Sequence, residues 1–365
     1  MRALVAIVVG LVALTGAERA QAYPQFQLTQ DGGATCGRCH VSPAGGGLLS
    51  DMGQFTAEEM SARGGEPAFL HDVWTPPAWL RLGGDIRLGV GGSDAGFGPG
   101  PAIAPMQAEV YAAVGSGAWT GYLSVGVLPD LLREHYLMYQ PSTDGLYVRA
   151  GRFMPVYGLR LAEHVYATRR WGAAPLGGEV YGLAVGYTGE GYEAHLTGFV
   201  HDPLDGKLPL HGSVEKGDGA ALYAEKRLGE RASIGVQARY ARSDLEHRTA
   251  GGATGKVWLP GPRLLLQAEA SMIRQRIGST PIGQLAAQLV ATRFFGGGVF
   301  VDLGLGRGDT DLGLAKNERD AVDLNVHWLG TSHLELVLSS RFAMVGLGDG
   351  GASTWYSLLQ LHYRL

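Results

Sequence analysis

Cysteine is nearly absent: two among 365 residues. A thiolate-rich zinc site wants about four ligands and a disulfide framework wants several pairs, so both are excluded. Charge is scarce as well, at 18% Asp, Glu, Lys and Arg, where a large soluble domain carries about 25%. The formal net charge is −4 with both signs dispersed. No basic stripe results, which excludes nucleic acid as a partner. Beyond the first residues no stretch of about 18 apolar residues occurs, which excludes a membrane protein built of spanning helices. Glycine, in contrast, is abundant, 58 residues against a usual share of about 7%.

The N-terminus reads as a secretory leader. Arg2 supplies the positive start, Leu4 to Leu14 a short apolar run, and Ala20-Gln21-Ala22 a cleavage site. The expected signal peptide is 1–22, with the mature chain beginning at Tyr23. The apolar run is too short to span a bilayer.

Both cysteines fall in Cys36-Gly37-Arg38-Cys39-His40. This is C-x-x-C-H, the attachment signature of a c-type haem: two thiols add to the two vinyl groups, and the adjacent histidine ligates the iron. A local disulfide and a thioredoxin-like redox pair are the competing readings, and the second requires a βαβ context that does not follow. Export fits covalent haem, which bacteria attach after translocation. Val41-Ser42-Pro43-Ala44-Gly45-Gly46-Gly47 reads as a turn-rich loop whose glycines let backbone pass close to a flat cofactor. A short helix is expected over 50–63, and Pro76-Pro77 closes a haem-binding segment over 23–77.

From Trp79 onward hydrophobicity alternates with period two. Ile234, Val236, Ala238 and Tyr240 share one parity and oppose Gln237 and Arg239; Val322, Leu324, Val326 and Trp328 oppose Asp323, Asn325 and His327. Sixteen such runs are expected: 79–92, 104–117, 119–128, 132–140, 145–153, 178–189, 191–201, 217–228, 231–243, 246–258, 262–273, 283–295, 297–307, 317–328, 332–343 and 353–365. Short turns near Gly117, Gly189-Glu190, Gly229-Glu230, Pro260-Gly261 and Gly296 alternate with longer loops at 93–103, 154–177, 202–216, 274–282, 308–316 and 344–352. The expectation is an all-β fold, a transmembrane antiparallel β-barrel of about 16 strands over 78–365, in the outer membrane of a Gram-negative bacterium. A soluble sandwich of this length needs two domains, and no linker divides the run. The terminal strand ends in Leu365, where many such barrels end in an aromatic residue.

The polar parity then faces the lumen, placing Arg81, Asp85, Arg87, Glu109, Glu193, His195, Arg239, Asp302, Asp323, His327, Arg341, His362 and Arg364 inside. His247 and His333 read as surface residues. The connection from Arg152 to Trp171 is long, aromatic and Arg-rich, unlike an ordinary surface loop, and reads as a constriction folded into the barrel.

Gly151-Arg152-Phe153-Met154-Pro155-Val156-Tyr157-Gly158-Leu159-Arg160 and His164 resemble the G-R-F-x-P-x-Y-G-x-R-x-x-x-H segment of bacterial outer-membrane cytochrome–porin fusions. In those proteins a C-x-x-C-H-x-S/N-P-x-G-G-G motif precedes the barrel, as it does here at Cys36–Gly47. The resemblance implies a barrel that holds one covalent haem c, in the lumen or on its periplasmic side, and passes electrons at or across the outer membrane. Its partners would be the lipid bilayer, a periplasmic electron-transfer protein and an outer-surface acceptor or donor. His40 is then the proximal iron ligand and His164 the favoured distal one, with Met52, Met60 and His71 as competitors and an open position as a further alternative. Arg160 and Arg169 would meet the haem propionates. Two other functions stay open: a solute porin with the haem on a plug or sensor segment, and a haem peroxidase or nitrogen-oxide reductase, which needs an open distal position. The sequence offers no independent catalytic pair, so an electron carrier is favoured over an enzyme.

Overall fold

The computed structural model describes residues 27–28, 35–50, 53, 69–94, 102–128, 132–161, 166–172, 178–201, 217–346 and 352–365. The leader, the mature start at Tyr23 and almost all of the expected helix over 50–63 lie outside the described residues.

Sixteen strands follow one another in chain order: β1 (Leu80–Ser93), β2 (Ala102–Ser116), β3 (Trp119–Leu128), β4 (Leu132–Tyr139), β5 (Gly145–Phe153), β6 (Val180–Thr188), β7 (Tyr192–Val200), β8 (Asp218–Leu228), β9 (Ala232–Arg242), β10 (Glu246–Leu259), β11 (Leu264–Ile277), β12 (Thr280–Gly296), β13 (Val299–Asp309), β14 (Glu318–Leu329), β15 (Leu334–Val345) and β16 (Ser353–Arg364). Each pairs antiparallel with its neighbours, and β16 returns to β1 to close the barrel. The seam runs from Asp85 opposite Arg364 to Ser93 opposite Tyr356, and the Leu365 N–H donates to the Gly84 carbonyl at 2.8 Å. Closure leaves no sheet edge, the condition for a sheet to survive in hydrocarbon.

Polarity is inverted relative to a soluble protein. On β9, Ile234 and Val236 are 52% and 54% exposed while Gln237 and Arg239 are each 3% exposed. A soluble barrel would bury the aliphatic set; here it faces outward, where lipid removes the cost of exposing it. Trp79, Trp119, Tyr139 and Tyr192 ring the outside near the short turns, and Tyr240 and Trp355 lie near the opposite rim, the positions of interfacial aromatic girdles.

Connections at the end holding 117–118, 140–144, 189–191, 229–231, 260–263, 297–298 and 330–333 are all short; in such barrels this is the periplasmic end. One expected loop is corrected. Residues 274–282 are not a long connection: β11 runs to Ile277 and β12 starts at Thr280, and Gly278 turns the chain with φ +58°. Arg274 and Arg276 hid the strand because they point outward beyond the apolar band.

Candidate functional site in the barrel lumen

The Cys36–His40 stretch lies inside the barrel, at its periplasmic mouth. Cys36–Cys39 forms a single helical turn, α1, closed by the His40 N–H donating to the Cys36 carbonyl at 2.9 Å. The chain then doubles back: Val41 N–H meets the Leu48 carbonyl at 3.0 Å, Ser50 N–H meets the Cys39 carbonyl at 2.9 Å, and His40 pairs with Leu49. The reversal needs left-handed backbone at Gly45, Gly46 and Gly47, with φ of 79°, 76° and 58°. A methyl group on Gly45 would stand 3.4 Å from Cys36 Sγ and 3.9 Å from His40 Cδ2. Glycine therefore keeps open the space over one thiol and the imidazole.

Both walls of the barrel hold this plug. The Arg38 guanidinium donates from Nε to Asp144 Oδ1 at 3.0 Å and from Nη2 to Oδ2, in the β4–β5 turn, and lies 3.5 Å from Glu190 in the β6–β7 turn. Arg149 Nη1 donates to Ser42 Oγ at 3.1 Å. Gln27 donates to Cys36 Sγ at 3.4 Å and accepts from Lys256 Nζ, which also pairs with Glu225 at 2.7 Å. Leu48 packs with Tyr111 and Tyr122. On the opposite wall Leu28 and Leu49 pack with Leu265, Phe294, Phe300 and Leu329.

No disulfide joins Cys36 to Cys39, although both are buried. Burial pushes the Cys36 thiol above its ordinary range, opposed by the Arg160 charge. Burial pushes His40 down to about 4, so its ring is neutral at neutral pH, the form that ligates metal. His40 Nδ1 is buried without a hydrogen bond of good geometry, within electrostatic reach of the Gly46 backbone.

The connection after β5 folds inward, as its composition suggested. Val156, Tyr157, Leu159, Leu161 and Tyr166 are buried. Leu159 N–H reaches Glu269 at 3.0 Å on β11. Ala167–Arg170 forms the short helix α2, whose first N–H donates to Gln288 at 2.9 Å; Asn325 donates to the Tyr166 hydroxyl at 3.0 Å. The loop thus crosses from β5 to the far wall above the plug. Arg160 joins the two parts: it donates to the Pro43 carbonyl at 3.3 Å and pairs with Glu193.

Of the residues singled out from sequence, Cys36, Cys39, His40 and Arg160 come together. Arg169 is in α2, where Glu269, Glu179 and Arg133 act on it. His164, Met52 and Met60 lie outside the described residues. His71 is exposed in a left-handed turn, bonded to the Tyr363 hydroxyl at 2.6 Å and packed on His333 with ring centroids 4.0 Å apart. His333 is not a surface residue: it is 3% exposed, and its Nδ1 bonds the Arg364 carbonyl at 2.7 Å. Sequence reading missed Arg38, Ser42, Arg149 and Lys256 as seat residues. Parity marks Arg149 and Lys256 as lumenal; nothing local marks the other two.

No family model matches the chain, and no curated protein does. Solved structures do. The anion-selective porin from Comamonas acidovorans is similar with a TM-score of 0.61 at 13% identity, over 78% of this chain and 99% of that one. The outer-membrane-expressed OmpT of Vibrio cholerae is similar with a TM-score of 0.62 at 13% identity, over 78% and 97%. The outer membrane channel DcaP of Acinetobacter baumannii is similar with a TM-score of 0.56 at 13% identity, again over 78% and 97%. The fold is therefore a porin-type barrel of 16 antiparallel strands. Identities this low bear on architecture only, and the shared fraction is the size of the strand-bearing part.

Proposed function

We propose that the protein is an outer-membrane c-type cytochrome–porin that carries one covalent haem and transfers electrons at or across the outer membrane of a Gram-negative bacterium. The observation that carries this reading is the seating of Cys36, Cys39 and His40 within the lumen of a porin-type barrel, under an inward-folded loop. The donor set fits the group: two thiols outside any disulfide, a neutral imidazole, and a glycine that leaves room over the Cys36 thiol and that imidazole. Cys36 and Cys39 would hold the haem by thioether bonds and His40 would ligate its iron. Bound there, haem supplies one-electron cycling between ferric and ferrous iron. The chain's own residues do the rest. Arg38 and Asp144 fix the segment at the mouth, Arg160 sets a positive charge beside Cys36, and the packed walls exclude bulk water. His164 is the distal ligand we favour, over Met52, Met60 and His71, and Arg160 and Arg169 are the propionate partners. A periplasmic electron-transfer protein on one side and an outer-surface donor or acceptor on the other complete the path.

The test is the mass and spectrum of the mature protein purified from outer membrane in detergent. One added haem and a c-type spectrum support the reading; a colourless protein of unmodified mass overturns it. The alternative, a solute porin with the haem on its plug, requires the segment to leave the mouth. A large, steady single-channel conductance of the haem-loaded full-length chain would favour it.

A further inference from the structure

Just before β1 the chain makes a compact hook whose apolar side chains the barrel leaves exposed. Among residues 69–80 only His71, Asp72 and Thr75 are polar. The Val73 N–H donates to the Leu70 carbonyl at 3.2 Å, and the Thr75 hydroxyl donates to Asp72 Oδ1 at 2.8 Å. Phe69 meets Trp74 edge-on with ring centroids 6.1 Å apart. Leu70, His71 and Asp72 are left-handed, with φ of 52°, 53° and 61°. Such backbone persists in ordinary residues only where the surroundings hold it. Yet Leu70, Trp74 and Trp79 are exposed, and Val73 is 84% exposed.

The place of the hook on the barrel decides what can cover it. His71 bonds the Tyr363 hydroxyl and packs on His333 in the β14–β15 turn. Tyr363 shares the parity of Leu359 and Leu361, both exposed on the outer wall, whereas Gln360 and His362 between them are buried in the lumen. The hook therefore reaches over the rim to the outside of β16. The same chain then enters β1, with the Leu80 N–H donating to the Pro77 carbonyl and the Gly115 N–H to the Trp79 carbonyl, each at 2.8 Å. This is the level of the aromatic girdle at the short-turn end. Trp119 and Tyr139 continue it along the rim on one side. Trp328, on the outward parity of Val322 and Leu324, continues it on the other.

Water is a poor environment for this surface. Connecting segments that face solvent are ordinarily polar, and exposed apolar side chains gathered in one patch mark an interaction site. Lipid suits the patch on two counts. It is continuous with the girdle that already faces the bilayer. Its make-up, aliphatic and indole side chains with one carboxylate at Asp72, is that of a segment lying at the headgroup level. A soluble partner steered by charge would find only Asp72 to read.

We propose that residues 69–79 are an interfacial lipid anchor: Leu70, Val73 and Trp74 enter the headgroup–acyl boundary of the periplasmic leaflet, beside the seam of β1 and β16. Insertion removes leucine, valine and indole surface from water and supplies the support that the left-handed turn lacks on its exposed side. It also staples the seam from outside, because the chain entering β1 is tied through His71 to the end of β16. The inference rests on the barrel's place in a bilayer and holds with or without haem.

The test is a nitroxide label at Val73→Cys, and separately at Trp74→Cys, in the full-length protein reconstituted at high dilution in phosphatidylethanolamine–phosphatidylglycerol vesicles. The signal of the unaltered chain treated with the same label is subtracted. Unheated gel migration confirms that each variant is a closed barrel. Labels at Val236→Cys on the lipid face and at Glu230→Cys, exposed in a short turn, set the lipid and water limits. The readout is the ratio of collision rates with oxygen, which concentrates in lipid, and with a water-soluble nickel chelate present on both sides of the membrane. At both hook positions that ratio is expected to exceed the Glu230 value by about threefold or more, toward the Val236 value. A smaller rise at either position in a closed barrel overturns the anchor, whether the label meets water or a second copy of the chain shields it from both reagents.

Discussion

Leu48 offers a direct measure of how firmly the plug is held. It is 4% exposed, packed among Tyr111 and Tyr122, and its Cδ1 presses on the Gly83 backbone so closely that a methyl group there would stand 2.8 Å away. Leu48→Ala removes a buried isobutyl group from a site whose surroundings are barrel strands that cannot collapse into the gap. Such truncations cost about 2–5 kcal/mol. Because the strands do not depend on Leu48, the loss falls on plug docking alone; about 3 kcal/mol corresponds to about 150-fold more of the undocked form. The assay is maleimide labelling of Cys36 and Cys39 in protein produced without haem attachment and folded in detergent. Labelling that requires undocking tracks the open population when closing is fast. An acceleration of one to two orders of magnitude is expected for Leu48→Ala and little for Leu48→Met. A rise below about fivefold would refute the reasoning, because the thiols would then be reached without moving Leu48.

Three further outcomes follow from other contacts. Asp144 is held below the usual carboxylate range by the hydrogen bond from Arg38, so the clamp is fully present above about pH 4 and is lost as pH falls through the depressed value; thiol labelling, taken relative to that of a free thiol at the same pH because the thiolate is the reacting form, should rise in that window, and Asp144→Asn, worth at most about 1 kcal/mol for so exposed a pair, should raise it at pH 7 and remove the acid step. Gly158 has φ +68° and faces Glu269, whose Oε1 would stand 2.6 Å from an added methyl group; Gly158→Ala should loosen the inward loop by about 1–3 kcal/mol, read as faster tryptic cleavage after Arg160. Val236, 54% exposed on the outer face, tolerates no charge: Val236→Arg should cost about 2–4 kcal/mol near the bilayer midplane, seen as a smaller folded fraction in vesicles, whereas Thr or Leu there should not.

The barrel was legible because a bilayer imposes the simplest of patterns. Ile234, Val236, Ala238 and Tyr240 alternate with polar neighbours, and all sixteen runs have counterparts in the structure. The one mistaken connection, 274–282, lay where β11 leaves the apolar band and its outward residues become arginines, so alternation in hydrophobicity stopped before the strand did. The inward course of 154–161 and 166–171 was readable from its aromatic content. The seat of the plug was not. Arg38 meets Asp144 across 106 residues, and Arg149 meets Ser42 across 107; neither partner announces the other, because closure of the barrel alone brings them together. His333 was misjudged for the same reason: a turn residue is exposed by default, and it is covered by His71 from before β1 and by Tyr363 and Arg364 of β16.

The placement of Arg38 makes the molecule lopsided. Its anchors belong to two turns on a single rim, so Cys36 and Cys39 sit a short step from the compartment beneath. Upward, a traveller meets the Arg160 strap first and then most of the height of the cylinder.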